Sequence, residues 1–384
     1  MNNQSQNSET ATPKRSPAQY ISLITFGLFG GFCGVMITAF VGGNQLAEGR
    51  FGVRLLMYAG LLIFMYVAIV AQLIFHEAGH LIAGLLSGYK FSSFRVFSFM
   101  WLRDGSGVRL CRLSIAGTGG QCLMTPPPMK DGKIPVSLYN LGGPLMNLIL
   151  AIVPAIISIA VGIMTLQGVL LMIFAAAGLT FSITNGVPMH TSTVDNDGYN
   201  AIALRHNEQA MQAFAIQMQV AGMTARGVRL RDCPAEWFAV PSDEDMKNSM
   251  VATRGVLACN RLMDEEKFEQ ADRLMKHMLG IESGIIGVHR NLLICDRMYI
   301  ELITECRHEV IDAMRTQELL QFMKLMKKFP SVLRTQYACS LLYERNTAAA
   351  AEIKKQFELC AGRYPYPSDI QSERELMTIA ESRQ

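Results

Sequence analysis

From Ile134 to Val194 the chain runs for 61 residues without a Lys, Arg, Asp or Glu. A stretch that long leaves a soluble globule nothing charged to present to water. A bilayer core takes about 20 apolar residues as helix, so the run suits two crossings, roughly Leu141–Met164 and Gly168–Ile183, joined by an uncharged turn near Thr165–Gln167. Two further windows qualify. Ser16 to Ala47 carries no formal charge and has Tyr20–Val41 as its core, and Leu55–Phe75 is uncharged for 21 residues before it meets His76.

The remainder of the chain is of another kind. Residues 1–194 hold 16 of the 67 Lys, Arg, Asp and Glu residues, and residues 195–384 hold the other 51. Net charge divides as +6 and −3 within the total of +3. An apolar half joined to a water-soluble half explains this better than one globule. Disorder is excluded by a hydrophobic content of 50%, since disordered chains are poor in such residues. No basic cluster interleaved with aromatics marks a nucleic-acid surface. The nine cysteines are odd in number and form no CxxC pair, which points to reduced, buried thiols on the cytoplasmic side of a membrane. Residues 1–19 are expected to be a disordered cytoplasmic tail, too polar for a signal peptide.

Basic residues set the expected orientation. The segment between the second and third crossings carries seven (Lys90, Arg95, Arg103, Arg109, Arg112, Lys130 and Lys133), and the turn between the third and fourth carries none. Both termini and the polar half are then cytoplasmic. Within that segment, residues 91–115 alternate around Asp104-Gly105-Ser106-Gly107, which predicts a β-hairpin whose apolar side lies against the membrane. A Gly- and Pro-rich loop is expected over Ala116–Pro128.

The second crossing ends in His76-Glu77-Ala78-Gly79-His80. Residues four apart share a helix face, so His76 and His80 can grip one zinc ion. Glu77 beside them can accept a proton from the attacking water and pass it to the leaving amine. Such groups at the end of an apolar helix are costly unless they serve a site. A third ligand is required. Ala83 and Leu86 stand where a metzincin has Gly and His, and no Glu occurs between Glu77 and Glu208. Asp104, Cys111, Cys122, Asp131, His190, Asp195 and Asp197 are the candidates. Spacing favours Asp195 or Asp197, at the end of the charge-free run.

The chain resembles the site-2 protease family of intramembrane zinc metalloproteases, whose HExxH is followed by Gly-Pro-x-x-Asn, Asn-x-x-Pro and Asp-Gly. Here these are His76–His80, Gly143-Pro144-Leu145-Met146-Asn147, Asn185-Gly186-Val187-Pro188 and Asp197-Gly198. The resemblance covers about residues 55–205. It implies Asp197 as third ligand, with Asp195 as fallback, one zinc ion per chain, and substrate-binding or site-steadying roles for Asn185 and Asn147. The Asn185–Asp197 stretch is longer than the family's tightest version. Its His190-Thr191-Ser192-Thr193 could bring His190 to the metal.

After Gly198 the pattern is charged and helix-favouring. Helices are expected over Met246–Met263, Phe268–Leu279, Met298–Ala313, Gln317–Phe329, Val332–Tyr343, Ala348–Ala361 and Ser372–Ala380. Phe329-Pro330 and Tyr364-Pro365 lie 35 residues apart, and Lys267-Phe268-x-x-Ala271 is similar to a tetratricopeptide helix. The expected architecture is therefore an α-helical polytopic membrane protein plus a cytoplasmic all-α domain. Its metalloprotease domain spans 20–205, with crossings over about 20–41, 55–87, 141–164 and 168–187. A connector follows at 206–241, and a tetratricopeptide-like domain at 242–384. The expected activity is intramembrane proteolysis of membrane-anchored proteins or signal-peptide remnants. A catalytically silent scaffold that binds membrane segments is the alternative. Expected partners are a substrate helix, the lipid bilayer and a protein or peptide held by the helical domain, with no nucleic acid.

Overall fold

The computed structural model describes residues 17–45, 48–113, 118–190 and 195–384. Four helices are long and apolar enough to cross a bilayer: α1 (Pro17–Gly42), α2 (Phe51–Leu86), α3 (Val136–Val161) and α4 (Leu166–Gly186). Large apolar side chains such as Leu28, Leu62 and Ile156 remain exposed on their outer sides, as lipid-facing positions do, while α2 and α3 turn polar residues such as Gln72 and Asn147 inward. The charge-free run folds back at Gly162, whose positive φ of 94° opens the turn. Thr165 caps α4 by accepting from the Gly168 N–H at 3.0 Å. Phe29, Cys33 and Ile37 of α1 pack with Leu61 and Ala68 of α2 and Ile173 of α4. Of the expected tail, residues 1–16 lie outside the described residues, and residues 17–19 form the first turn of α1.

Between α2 and α3 stands an antiparallel sheet, β1 (Lys90–Val96), β2 (Phe99–Arg103), β3 (Val108–Arg112) and β4 (Gly120–Thr125), in the order β3-β2-β1-β4. The expected turn at Asp104–Gly107 joins β2 to β3, and Asp104 Oδ1 accepts from the N–H groups of Ser106 and Gly107. The single hairpin over 91–115 is corrected in two ways. A second reversal at Phe97, with φ of 52°, folds β1 onto β2, and a fourth strand arises within the segment expected to be loop. Partners explain β4. It pairs with β1 through a bulge at Phe91/Ser93 and buries Cys122 and Met124 against Tyr89, Tyr139 and Phe214. Residues 114–117, which include the end of the expected hairpin, lie outside the described residues.

The expected connector is largely helix. After α5 (Asp197–His206), α6 (Glu208–Ala225) starts on the Asn207 cap and buries Met211, Phe214 and Ala215 in the core beneath the sheet. Eight helices follow: α7 (Ser249–Asp264), α8 (Phe268–Gly280), α9 (Gly287–Ile303), α10 (His308–Met314), α11 (Gln317–Leu325), α12 (Pro330–Ala338, prolonged by a wider turn to Tyr343), α13 (Thr347–Ala361) and α14 (Pro367–Glu381). The helix expected over 298–313 is broken. Cys306 takes a left-handed φ of 50°, and the Glu301 carboxylate accepts from the Arg307 N–H and guanidinium. Met275, Met278, Leu293, Tyr299 and Val332 fill the core of this half. Two buried arginines tie it together. Arg334 pairs with Asp296 and Glu373, and Arg229 pairs with Asp264 and Glu375. The segment before α14 returns to the sheet, where Tyr364 and Tyr366 cover Met100 and Leu102 and Arg109 donates to the Pro365 carbonyl at 2.6 Å.

Candidate metal centre

His76 and His80 lie one turn apart on α2, and Asp197 opens α5 at the end of the loop that follows α4. Their free atoms converge. His76 Nε2 stands 3.0 Å from Asp197 Oδ2 and 3.1 Å from His80 Nε2, and His80 Nε2 stands 3.4 Å from Asp197 Oδ2. Donor atoms around a tetrahedral zinc with bonds of about 2.0–2.1 Å are about 3.3 Å apart. Two imidazole nitrogens and one carboxylate oxygen at this spacing fit that ion. Both histidines are buried, whereas the Asp197 side chain keeps 24% of its surface open, so the site has a side from which a further ligand can enter. Among the described residues no other trio of His, Cys, Asp or Glu converges in this way.

The opposite ring nitrogens are also held. His76 Nδ1 lies 2.7 Å from Asn147 Oδ1, and His80 Nδ1 lies 2.8 Å from the Tyr139 carbonyl. Each partner is an acceptor, so each Nδ1 carries the proton and each Nε2 lone pair is directed at the site. Asn147 is fully buried and donates from Nδ2 to Gln72 O and Oε1. Burial works against the Asp197 carboxylate, but His80 and His76 outweigh it and hold its carboxyl well below the usual range.

Residues 64–357, about three quarters of the chain, match the model of peptidase family M50. The chain belongs to this family. M50 peptidases are zinc-dependent metalloproteases of the site-2 type. No curated protein and no solved structure matches the chain.

The motifs of the M50 chain acquire local reasons from the packing. A Cβ on Gly143 would run into both imidazoles, and one on Gly198 would meet the Gly186 carbonyl. The first glycine lets α3 approach the two histidines, and the second lets α5 close on the end of α4. Glu77 is buried with its carboxylate against Gly120 of β4, and it feels the charges of His80, His76, Asp197 and Arg95. Asn185 is half-buried; its Nδ2 donates to the Phe181 carbonyl at 2.9 Å, and among the described residues its Oδ1 accepts nothing. The Asn147 amide is occupied by His76 and Gln72, which fits a steadying role and leaves no donor for a substrate. Asp195 accepts from exposed His190 at 2.6 Å and from Ser249 at 3.0 Å, and neither Asp195 nor His190 joins the trio. Residues 191–194 lie outside the described residues. Asp104 is held in its turn by Ser106 and Arg109, and Cys111 and Cys122 are buried in the sheet. Asp131 sits in a left-handed turn beside Lys130 and Lys133.

Three residues that the motifs did not indicate complete the site. Asn196 uses its whole amide. Oδ1 accepts from the Met189 and Tyr199 N–H groups, and Nδ2 donates to the Thr184 and Val187 carbonyls. It thereby locks the α4–α5 junction beside Asp197. Gln72 lies fully buried inside an apolar helix, which is itself a signal of function. Arg95 is 1% exposed and donates to the Phe97 and Gly120 carbonyls and to Thr118 Oγ1, pinning the start of β4 beside Glu77.

Proposed function

We propose that this chain is an active intramembrane zinc endopeptidase that cuts membrane-anchored proteins or signal-peptide remnants near the cytoplasmic face. The observation that carries the proposal is the convergence of His76, His80 and Asp197 next to an intact Glu77. A silent scaffold would have no need of it. Zinc held by the three would supply Lewis acidity to the scissile carbonyl and to the attacking water. Glu77 takes the proton of that water as its oxygen bonds to the carbonyl carbon, and delivers it to the amine as the C–N bond breaks. Asn147 and the Tyr139 carbonyl keep the ligand imidazoles in one tautomer and orientation throughout. A substrate helix must unwind before its peptide bonds can be reached, which frees backbone groups that need new partners. Asn185 offers one through its Oδ1, and the outer edge of β4, next to Glu77, offers others to an extended segment.

The seven basic residues between α2 and α3 support a cytoplasmic sheet, cytoplasmic termini and a cytoplasmic polar half. The helices after α6 suit a protein- or peptide-binding role, and their resemblance to tetratricopeptide repeats is part of this reading. The test is quantitative membrane proteomics on cells carrying the wild type or Glu77→Gln. Accumulation of a few single-span proteins or signal-peptide remnants in the mutant supports the protease. Identical membrane proteomes under several growth conditions would favour the scaffold.

A further inference from the structure

One helix belongs to both halves of the molecule. The first turn of α7 places Val251, with Met250 against it, in the core that holds Leu204 of α5 and Tyr139 of α3. The same helix then places Ala252, Val256, Cys259 and Met263 in the core of the polar half. Asn248 caps its start by accepting from the Met250 and Val251 N–H groups. The loop between α8 and α9 presses on that start. Gly284 donates to the Met246 carbonyl at 2.8 Å, and a Cβ on it would run into the Lys247 carbonyl and the Ser249 nitrogen. The polar half therefore fixes α7 along its length, and the tip of the helix lies under the apolar half.

At that tip Ser249 Oγ donates to Asp195 Oδ2 at 3.0 Å, two residues before Asp197. The other carboxylate oxygen lies 2.6 Å from His190 Nδ1, and the Asp195 carbonyl accepts from Asn200 Nδ2 at 3.3 Å. The Asn196 amide bonds stay within the α4–α5 junction. Asp195 reaches out of the junction, to a helix that the polar half holds.

We propose that Ser249 is a positioning residue for the metal centre. Through Asp195 it holds the start of α5, and with it the Asp197 carboxylate, where the polar half sets it. Groups beyond the ligands orient them and tune their hold on a metal, so the polar half acts on zinc affinity without touching the zinc. This rests on the reading of His76, His80 and Asp197 as a zinc site.

The test is competition for zinc between a chromophoric chelator and the purified full-length protein. Ser249→Ala should weaken zinc binding by about threefold to tenfold, the effect of losing one hydrogen bond, with the unfolding midpoint of the polar half unmoved. Ser249→Thr keeps the hydroxyl and should restore wild-type affinity. In cobalt-loaded protein, Ser249→Ala should shift the visible d–d bands, because the ligand geometry changes. Asp195→Ala should lose at least as much affinity, and adding Ser249→Ala to it should cost nothing further. Additive losses, or a loss that follows a lowered unfolding midpoint, would overturn the positioning role. So would unchanged affinity in Ser249→Ala beside a wild type that binds zinc. A wild type that takes up no zinc would overturn the metal-centre reading itself, and the role of Ser249 with it.

Discussion

The molecule buries charge and polarity in two places, and they are built on opposite rules. In the polar half every buried arginine meets carboxylates: Arg334 takes Asp296 and Glu373, and Arg229 takes Asp264 and Glu375. Between α2, α3 and α5 three electron-pair donors are turned toward one another instead, with their other atoms held by Asn147, Tyr139 and the Asn196 lock. Complementary pairs need nothing further and hold a fold together. Converging donors need a cation, and that requirement marks a site. A buried aspartate is thus structural in one half and belongs to the candidate metal centre in the other.

The sharpest break between the two regions should come from Glu77→Gln, which removes the proposed proton acceptor and leaves the converging trio of His76, His80 and Asp197 intact. Cleavage of a single-span substrate should fall about a thousandfold or more while zinc content holds. Next comes Arg334→Met, which strands Asp296 and Glu373. It should cost about 3–5 kcal/mol in denaturant unfolding of the polar half, with zinc content unchanged; a loss of zinc would mean that the halves are one unit. Asn147→Ala and Asn196→Ala should each weaken zinc binding by about 10–100-fold and barely move the unfolding midpoint. An effect on unfolding without one on zinc would make them structural.

The smallest effect concerns Asp369, on α14. Burial, with Glu373 and Asp264 nearby, pushes its carboxyl up to about 7. Arg229, Arg334, Asp296 and His289 line the same cavity of about 300 Å³. A carboxyl that stays protonated in the fold while the unfolded chain ionises near the ordinary value of about 3.9 lowers stability as pH rises from about 4 to 7. Asp369→Asn should therefore stabilise the polar half by roughly 1–3 kcal/mol at pH 8 and change little at pH 4. Equal stabilisation at both values would show that Asp369 is ionised in the fold.

Much of this was legible in the residues. The charge-free runs pointed to four apolar helices, because length and apolarity are one-dimensional properties, although α2 continues past the uncharged run at Phe75 to Leu86. HExxH placed His76 and His80 on one face because helix periodicity is local. Asp195 and Asp197 could not be separated by spacing, since the choice depends on where α5 begins, and the Asn196 cap sets that. The strand β4 was hidden for a related reason. Its Gly-rich start is tolerated because Arg95 pins it, and a buried arginine on a distant strand leaves no trace in local composition. The break after α9 depends on Glu301 folding back on Arg307, a contact that helix propensity does not encode.

The most direct test of the central claim is the zinc content of purified full-length protein, with wild type, Glu77→Gln and Asp197→Ala measured side by side after equilibration at limiting free zinc. About one zinc per chain is expected in the first two, with most of it lost from Asp197→Ala. Zinc retained by Asp197→Ala, or lost from Glu77→Gln, would contradict the assignment of the converging trio as the metal centre.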